Sequence, residues 1–280
     1  MSGRDLRLGL MGRAIGHSLS PRLHQALLRL SGRHGTYQLL DSDAWQLAVD
    51  GLLEGRFDGL NVTTPFKNVV AERCLQAGQG PVNCVRSRDG QLQGWSSDGP
   101  GFVDALTRLL PLPDRPQVLL LGTGGAAESL VPSLAQRGCT VWLRGRQPHS
   151  GQDWPQRLPV RLWPGLQADA IRPHNPGIDL VIHASRWGHG SLGAPPQQER
   201  LPWQDLPWAS WAAAGTPLVD IVYSANQPTW MEQLATSENL PIVQGFGRSM
   251  LAAQAAHSFA YWTGELRDWR DIAGEINAPV

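Results

Sequence analysis

Val118-Leu119-Leu120-Leu121-Gly122-Thr123-Gly124-Gly125-Ala126-Ala127 is the stretch on which the reading of this chain turns. An unbroken apolar run after Gln117 has the length and composition of a strand buried on both faces. It enters G-x-G-G-A-A directly. Gly122 permits a tight turn, Gly124 lets a bound group approach the backbone, and the small Ala127 lets a following helix pack on the strand. That helix, Ala126 to Gln136, would start with unpaired N–H groups, which favour phosphate. In this reading the turn at Gly122 and Gly124 faces the phosphates of a dinucleotide; the alternative is a glycine-rich turn without a ligand. Pro132 inside the helix predicts a kink.

Downstream, Thr140 to Leu143 reads as the next strand and ends in Arg144-Gly145-Arg146. No Asp or Glu stands there to accept a ribose 2′-hydroxyl, whereas two arginines suit a 2′-phosphate. The cofactor expected is therefore NADP(H) rather than NAD, unless both arginines simply face solvent. Asp179 to His183 and Pro217 to Val222 read as further strands, Ser249 to Thr263 as an apolar helix, and 187–216 as mostly loop. Residues 147–176 carry no clear element pattern.

Upstream, the first hundred residues alternate strand and helix patterns. Leu6 to Met11, Tyr37 to Leu40 and Gly59 to Val62 read as strands. Pro21 to Leu30 reads as a helix with Ser20 as N-cap, and Ala44 to Glu54 as another. Phe102 to Leu110 reads as a linking helix before the proline-rich break Pro111 to Pro116. The pattern predicts an α/β protein: an open, mostly parallel N-terminal sheet followed by a Rossmann-type domain.

The chain has 280 residues, enough for about two domains. Lys+Arg and Asp+Glu are both 24, and this balance argues against nucleic acid or an anionic membrane as partner. No apolar run is long enough to span a membrane, and the N-terminus lacks the pattern of a signal peptide. Three cysteines without a CxxC spacing suggest reduced thiols in the cytoplasm. The eight histidines show no metal-ligand spacing, so no metal is expected. The cluster Trp203, Trp208 and Trp211 suits loop packing or an association surface.

Lys67 is the sole lysine in a chain that otherwise uses arginine. An ammonium can give up a proton near neutrality, and a guanidinium cannot. It follows Asn61-Val62-Thr63-Thr64-Pro65-Phe66, a strand end. Asp98, after Ser96-Ser97, could hold it for proton transfer to a ketone oxygen, or could be an ordinary loop carboxylate or helix cap. Ser18 and Ser20, just before a helix, could bind a carboxylate.

GHSLSP at 16–21, NVTTPFK at 61–67, VNC at 82–84, SSDGPG at 96–101, LGTGGAA at 121–127, DIVY at 220–223 and GRSMLAAQAAHSF at 247–259 occur in an order that resembles the shikimate dehydrogenase family. The resemblance spans the whole chain. It implies NADPH-dependent, reversible reduction of 3-dehydroshikimate to shikimate, on the route to chorismate and the aromatic amino acids. It implies Lys67 and Asp98 as the catalytic pair, with Ser18 and Ser20 on the substrate carboxylate. Thr63, Asn83, Tyr223 and Gln254 would complete the substrate pocket, and Gly122, Thr123, Gly124, Gly125, Ala126, Arg146, Ile221 and Gly247 would line the cofactor. It further implies a substrate domain of residues 1–98 and 248–280, a cofactor domain of 99–247, and a monomer or homodimer.

Several positions depart from the family pattern. Ser96-Ser97 replaces Asn-Thr before Asp98, Cys84 replaces Thr after Asn83, and His183-Ala184-Ser185 replaces Asn-Ala-Thr. The cofactor turn reads Gly145-Arg146-Gln147 for Asn-Arg-Thr and lacks a second basic residue, for which Arg144 could compensate. These changes leave open a paralogue acting on quinate, aminoshikimate or another polyol acid, or a non-catalytic NADP(H)- or metabolite-binding protein.

Overall fold

A computed structural model describes residues 4–75, 80–146, 151–163, 177–185, 203, 205–224 and 228–280. Gln147 and His189 lie outside the described residues, as does much of 147–176 and 187–216. In chain order the elements are β1 (Leu6–Gly12), α1 (Ser20–Leu30), β2 (Gly35–Asp41), α2 (Trp45–Leu53), β3 (Gly59–Val62), α3 (Lys67–Ala71), β4 (Cys84–Arg88), β5 (Gln91–Trp95) and α4 (Asp98–Leu109). There follow β6 (Gln117–Leu121), α5 (Gly125–Gln136), β7 (Thr140–Arg144), α6 (Trp154–Arg157), β8 (Val160–Leu162), β9 (Leu180–His183), α7 (Trp208–Ala214), β10 (Leu218–Asp220), α8 (Trp230–Ser237), α9 (Phe246–Thr263) and α10 (Arg270–Ala273). The chain divides into two compact units, one of residues 1–105 with 248–278, the other of 106–247.

The first unit holds a five-stranded sheet of order β2-β1-β3-β4-β5. β1 runs parallel to β2 and β3, and β4 and β5 add an antiparallel hairpin at one edge. Met11, Val49, Leu52, Leu60, Val62, Phe66, Val70 and Val85 pack into one buried cluster beneath it. The helix α4 starts at Asp98, earlier than Phe102, so Asp98 lies in its first turn, at the positive end of the helix dipole.

The second unit holds a fully parallel sheet of order β10-β9-β6-β7-β8. β6 is central, and Val118 to Leu121 are fully buried, which is why its sequence is apolar rather than alternating. The stretch 187–216 is not all loop: Trp208-Ala-Ser-Trp-Ala-Ala-Ala forms α7, closed by Gly215 in the left-handed region. Alanines favour the helix, and a glycine just past the end stops it. Trp203, Trp208 and Trp211 are buried in the core with Trp163, Leu121 and Met231, so they serve packing and not an association surface. α5 continues through Pro132.

Candidate active site

In the first unit, β3 ends at Val62 and the chain turns through Thr63 and Thr64 into α3, which begins with Lys67. This puts the lysine ammonium on Asp98, with an Nζ–Oδ2 ion pair between them. Lys67 keeps 14% of its side chain exposed and Asp98 keeps 9%. The other oxygen, Oδ1, accepts from Asn83 Nδ2 at 2.7 Å. The orientation of Asn83 is unambiguous, because the Ser97 backbone N–H can only donate and meets Oδ1 at 2.7 Å. Its Nδ2 must therefore face Asp98.

Gln254, from α9, turns its Oε1 toward the same cluster, where it accepts from Asn83 Nδ2 at 3.1 Å and lies 3.2 Å from Ser97 Oγ. Only its amide N–H groups are left to meet a ligand. The backbones of α4 and α9 approach closely here: a Cβ on Gly101 would lie 2.5 Å from the Gln254 nitrogen.

Beneath the pair lie Ser258, Asn61 and Tyr37, to which the sequence assigned no role, and Cys84, which it marked only as a departure from the family pattern. Ser258, fully buried, accepts from Asn61 Nδ2 at 2.9 Å and lies 2.9 Å from Ser97 Oγ. Asn61 Oδ1 accepts from Tyr37 at 2.8 Å. Cys84 donates to Asn83 Oδ1 at 3.1 Å, and burial pushes its thiol up to about 11. Small polar residues on strands that otherwise bury apolar side chains were the available signal.

Ser18 and Ser20 sit at the start of α1, but Ser20 is not its N-cap. The cap position is Leu19, already in helical geometry, and Ser20 is the first helical residue. The Ser18 hydroxyl accepts from the Ser20 N–H at 3.2 Å, taking over the role expected of Ser20. Thr63 is half-buried beside Gly12, where an added Cβ would lie 2.4 Å from its methyl.

In the second unit the glycine turn lies between β6 and α5. Gly122 has φ +128°, and a Cβ there would lie 2.5 Å from the Ala184 carbonyl. Gly124 is the N-cap of α5, and a Cβ on it would meet nothing within 4 Å. Open space in front of the unpaired first-turn N–H groups fits a pyrophosphate. Thr123, Gly125 and Ala126 are half-buried around it. Glu128, the acidic residue of that turn, is neutralised by Arg157 at 2.9 Å.

Of the two arginines after β7, Arg146 is exposed, whereas Arg144 is half-buried and paired with Asp205 at 2.9 Å. Arg144 thus does not simply face solvent, and one nitrogen of its guanidinium is engaged by Asp205. Gly145 is buried between them. Ile221 follows β10 and donates its N–H to His183 O. Gly247 is needed for close packing, since a Cβ would lie 2.5 Å from the Val222 carbonyl. Tyr223, half-buried, belongs to this unit. Among the described residues no group of three His, Cys, Asp or Glu side chains is arranged to hold a metal, and no helix is long and apolar enough to cross a membrane.

A parallel nucleotide-type sheet in one unit and a lysine–aspartate pair on a mixed sheet in the other define a two-unit α/β protein of the dehydrogenase kind. Residues 10–80 match the model of the shikimate dehydrogenase substrate binding domain. Over 267 residues the chain is 33% identical to the NADP(+) shikimate dehydrogenase of an Exiguobacterium species, covering 92% of this chain and 93% of that protein. It is 30% identical over 274 residues to a Thermus thermophilus enzyme of the same name, covering 94% of each. The crystal structure of a shikimate 5-dehydrogenase from Thermus thermophilus, in complex with NADP(H) and shikimate, superposes with a TM-score of 0.78 at 29% identity, over 97% of this chain and 98% of that one. The chain belongs to the shikimate dehydrogenase family.

Proposed function

We propose that this chain interconverts 3-dehydroshikimate and shikimate with NADP(H), and that Lys67 and Asp98 move the proton. One observation carries the assignment of roles: the sole lysine is ion-paired to a carboxylate whose other oxygen is held by a buried asparagine. Family membership supplies the substrate and cofactor class.

Bound NADP(H) would supply or accept the hydride. As the ketone oxygen of 3-dehydroshikimate gains charge, the Lys67 ammonium gives it a proton, and the O–H bond of shikimate forms as the N–H bond breaks. Asp98 holds the lysine in line before and after transfer. In the reverse direction Lys67 takes the hydroxyl proton. Ser18 and Ser20 hold the substrate carboxylate at the start of α1. Thr63 and Gln254 bind ring hydroxyls, as does Tyr223, while Asn83 serves the site by holding Asp98.

Gly122, Thr123, Gly124, Gly125 and Ala126 cradle the pyrophosphate, with Ile221 and Gly247 nearby in the same unit. Arg146 takes the 2′-phosphate. Arg144 supports that turn through Asp205 and does not bind the phosphate itself. A cytosolic setting accords with the three unpaired thiols.

The test is the appearance of NADPH when the purified protein meets shikimate and NADP+, with NAD+ and quinate run alongside. Turnover of shikimate with NADP+ preferred is expected. Turnover of quinate alone would move the activity to the paralogue reading, and ligand binding without turnover of either acid would make this a binding protein.

A further inference from the structure

We propose that Ser258 is a positioning residue for the proton-transfer pair, acting through Ser97 and Asn83; the part concerning turnover rests on the function proposed above. Counting protons fixes the direction of each bond. Ser258 has one hydroxyl proton, and its Oγ donates it to the Gln254 carbonyl of its own helix at 2.9 Å. Toward every other neighbour Ser258 is therefore an acceptor. It accepts from Asn61 Nδ2 at 2.9 Å, and Asn61 is itself fixed by Tyr37. One lone pair then remains, facing Ser97 Oγ at 2.9 Å and Cys84 Sγ at 3.0 Å, and the hydroxyl is the stronger donor of the two.

Ser97 must donate to it, which leaves the Ser97 oxygen to accept from Asn83 Nδ2 at 3.0 Å. With Asn83 Oδ1 already on the Ser97 backbone N–H, both ends of the Asn83 amide are set, and its remaining N–H is aimed at Asp98 Oδ1. The one proton that Ser258 gives to its helix thus orients the Ser97 hydroxyl, and the Ser97 oxygen, with Gln254 Oε1 at 3.1 Å, steadies the second N–H of Asn83. Cys84 does not disturb it, because its thiol donates to Asn83 Oδ1 and burial keeps it protonated.

Without the Ser258 hydroxyl, the Ser97 proton is free to swing to its other acceptors, Gln254 Oε1 at 3.2 Å and Asn83 Oδ1 at 3.3 Å. Asn83 keeps its orientation through the Ser97 backbone N–H, but its Nδ2 loses the Ser97 oxygen as a fixed acceptor, so Asp98 and the lysine it positions are held less tightly. Ser258 is fully buried and does none of this by touching a ligand.

The sole lysine makes the test unusually direct. Protein labelled with 13C at the lysine ε-carbon yields one lysine resonance, that of Lys67. Ser258→Ala is expected to displace or broaden that resonance at pH 7 in the absence of substrate. It is also expected to lower kcat about tenfold while KM for shikimate stays within about twofold, the signature of an interaction realised in the transition state. Ser97→Ala should do the same, and the double variant should be no worse than either single one, since both break one chain.

A Lys67 resonance and kcat unchanged in Ser258→Ala, with only the melting temperature lowered, would overturn the proposal. So would losses that multiply in the double variant. If Ser258→Ala does not fold, Ser258→Cys keeps the volume and a weak donor and is read by the same criteria. A wild type without shikimate turnover counts against the proposed function, while the resonance still decides the positioning role.

Discussion

Asp98 and Asp220 are two buried aspartates that hold a basic side chain, one in each unit, and they are built to opposite ends. Asp220 lies at the end of β10, where Oδ1 meets His183 Nδ1 at 2.8 Å and accepts the Val222 N–H at 2.9 Å. Its Oδ2 accepts from Thr229 at 2.6 Å. His183 is fully buried, its second nitrogen is 2.7 Å from Ser185, and Trp203 and Trp230 flank the ring. Every polar atom of that histidine is spent inside the protein. Asp98 is equally well held on its inner side, but its basic partner retains an exposed face. A closed network stabilises; a network open at one end presents a group that can exchange a proton.

Substitution on each side of this contrast should separate activity from stability. Lys67→Ala should lower kcat about 10³-fold, the range expected for loss of a positioned acid–base group. Its melting temperature should move by less than about 4 °C; a fall in kcat of less than about tenfold would remove Lys67 from the chemistry. Asp220→Ala should do the reverse. It leaves His183, Thr229 and the Val222 N–H without their acceptor and should cost about 4 kcal/mol in urea unfolding. Wild-type stability in that variant would show the closed network to be dispensable.

A second buried histidine extends the contrast to a base with no acid beside it. His24 is fully buried, stacks on Tyr37 with ring centroids 4.2 Å apart, and has neither nitrogen in hydrogen-bonding geometry among the described residues. Burial drives its pKa down from 6.5 to about 3, against a weaker opposing pull from Asn61. A base with a depressed folded pKa is protonated in the unfolded chain first, so stability falls as pH drops from about 6.5 toward 3. Wild type should lose about 2 kcal/mol more than His24→Phe between about pH 7 and pH 5. Equal losses in urea titrations at the two pH values would place the histidine in water.

The smallest effect concerns the cofactor turn. Arg146→Ala should raise KM for NADP+ about tenfold, or about 1.4 kcal/mol, and leave weak NAD+ turnover unchanged. Arg144→Ala, by contrast, should act through the loss of the Asp205 pair and change the two cofactors alike.

Much of the fold is legible locally. The buried run at 118–121, the glycine turn and the helix after it each follow from neighbours a few residues apart. Two other elements also carry local signals. Asp89-Gly90, both at positive φ, joins β4 to β5, and such a pair between strand-length segments marks a hairpin. The flanks Cys-Val-Arg-Ser-Arg and Gln-Leu-Gln-Gly-Trp hide it, because an edge hairpin tolerates polar side chains. Thr229-x-x-Glu232 likewise forms a capping box at the start of α8.

The α/β class, the nucleotide-type turn at Gly122 to Ala127 and the singularity of Lys67 all come from sequence alone. Each rests on short-range rules: periodicity, backbone freedom of glycine, and the chemistry of one residue type. Tertiary packing was needed to bring Asn61 to Ser258 across 197 positions of chain, Ser97 to the same hydroxyl across 161, and Arg144 onto Asp205. A hydroxyl or guanidinium takes whatever partner packing brings within about 3 Å. Packing here depends on α9 belonging to the first unit from Arg248 onward, which no local pattern encodes.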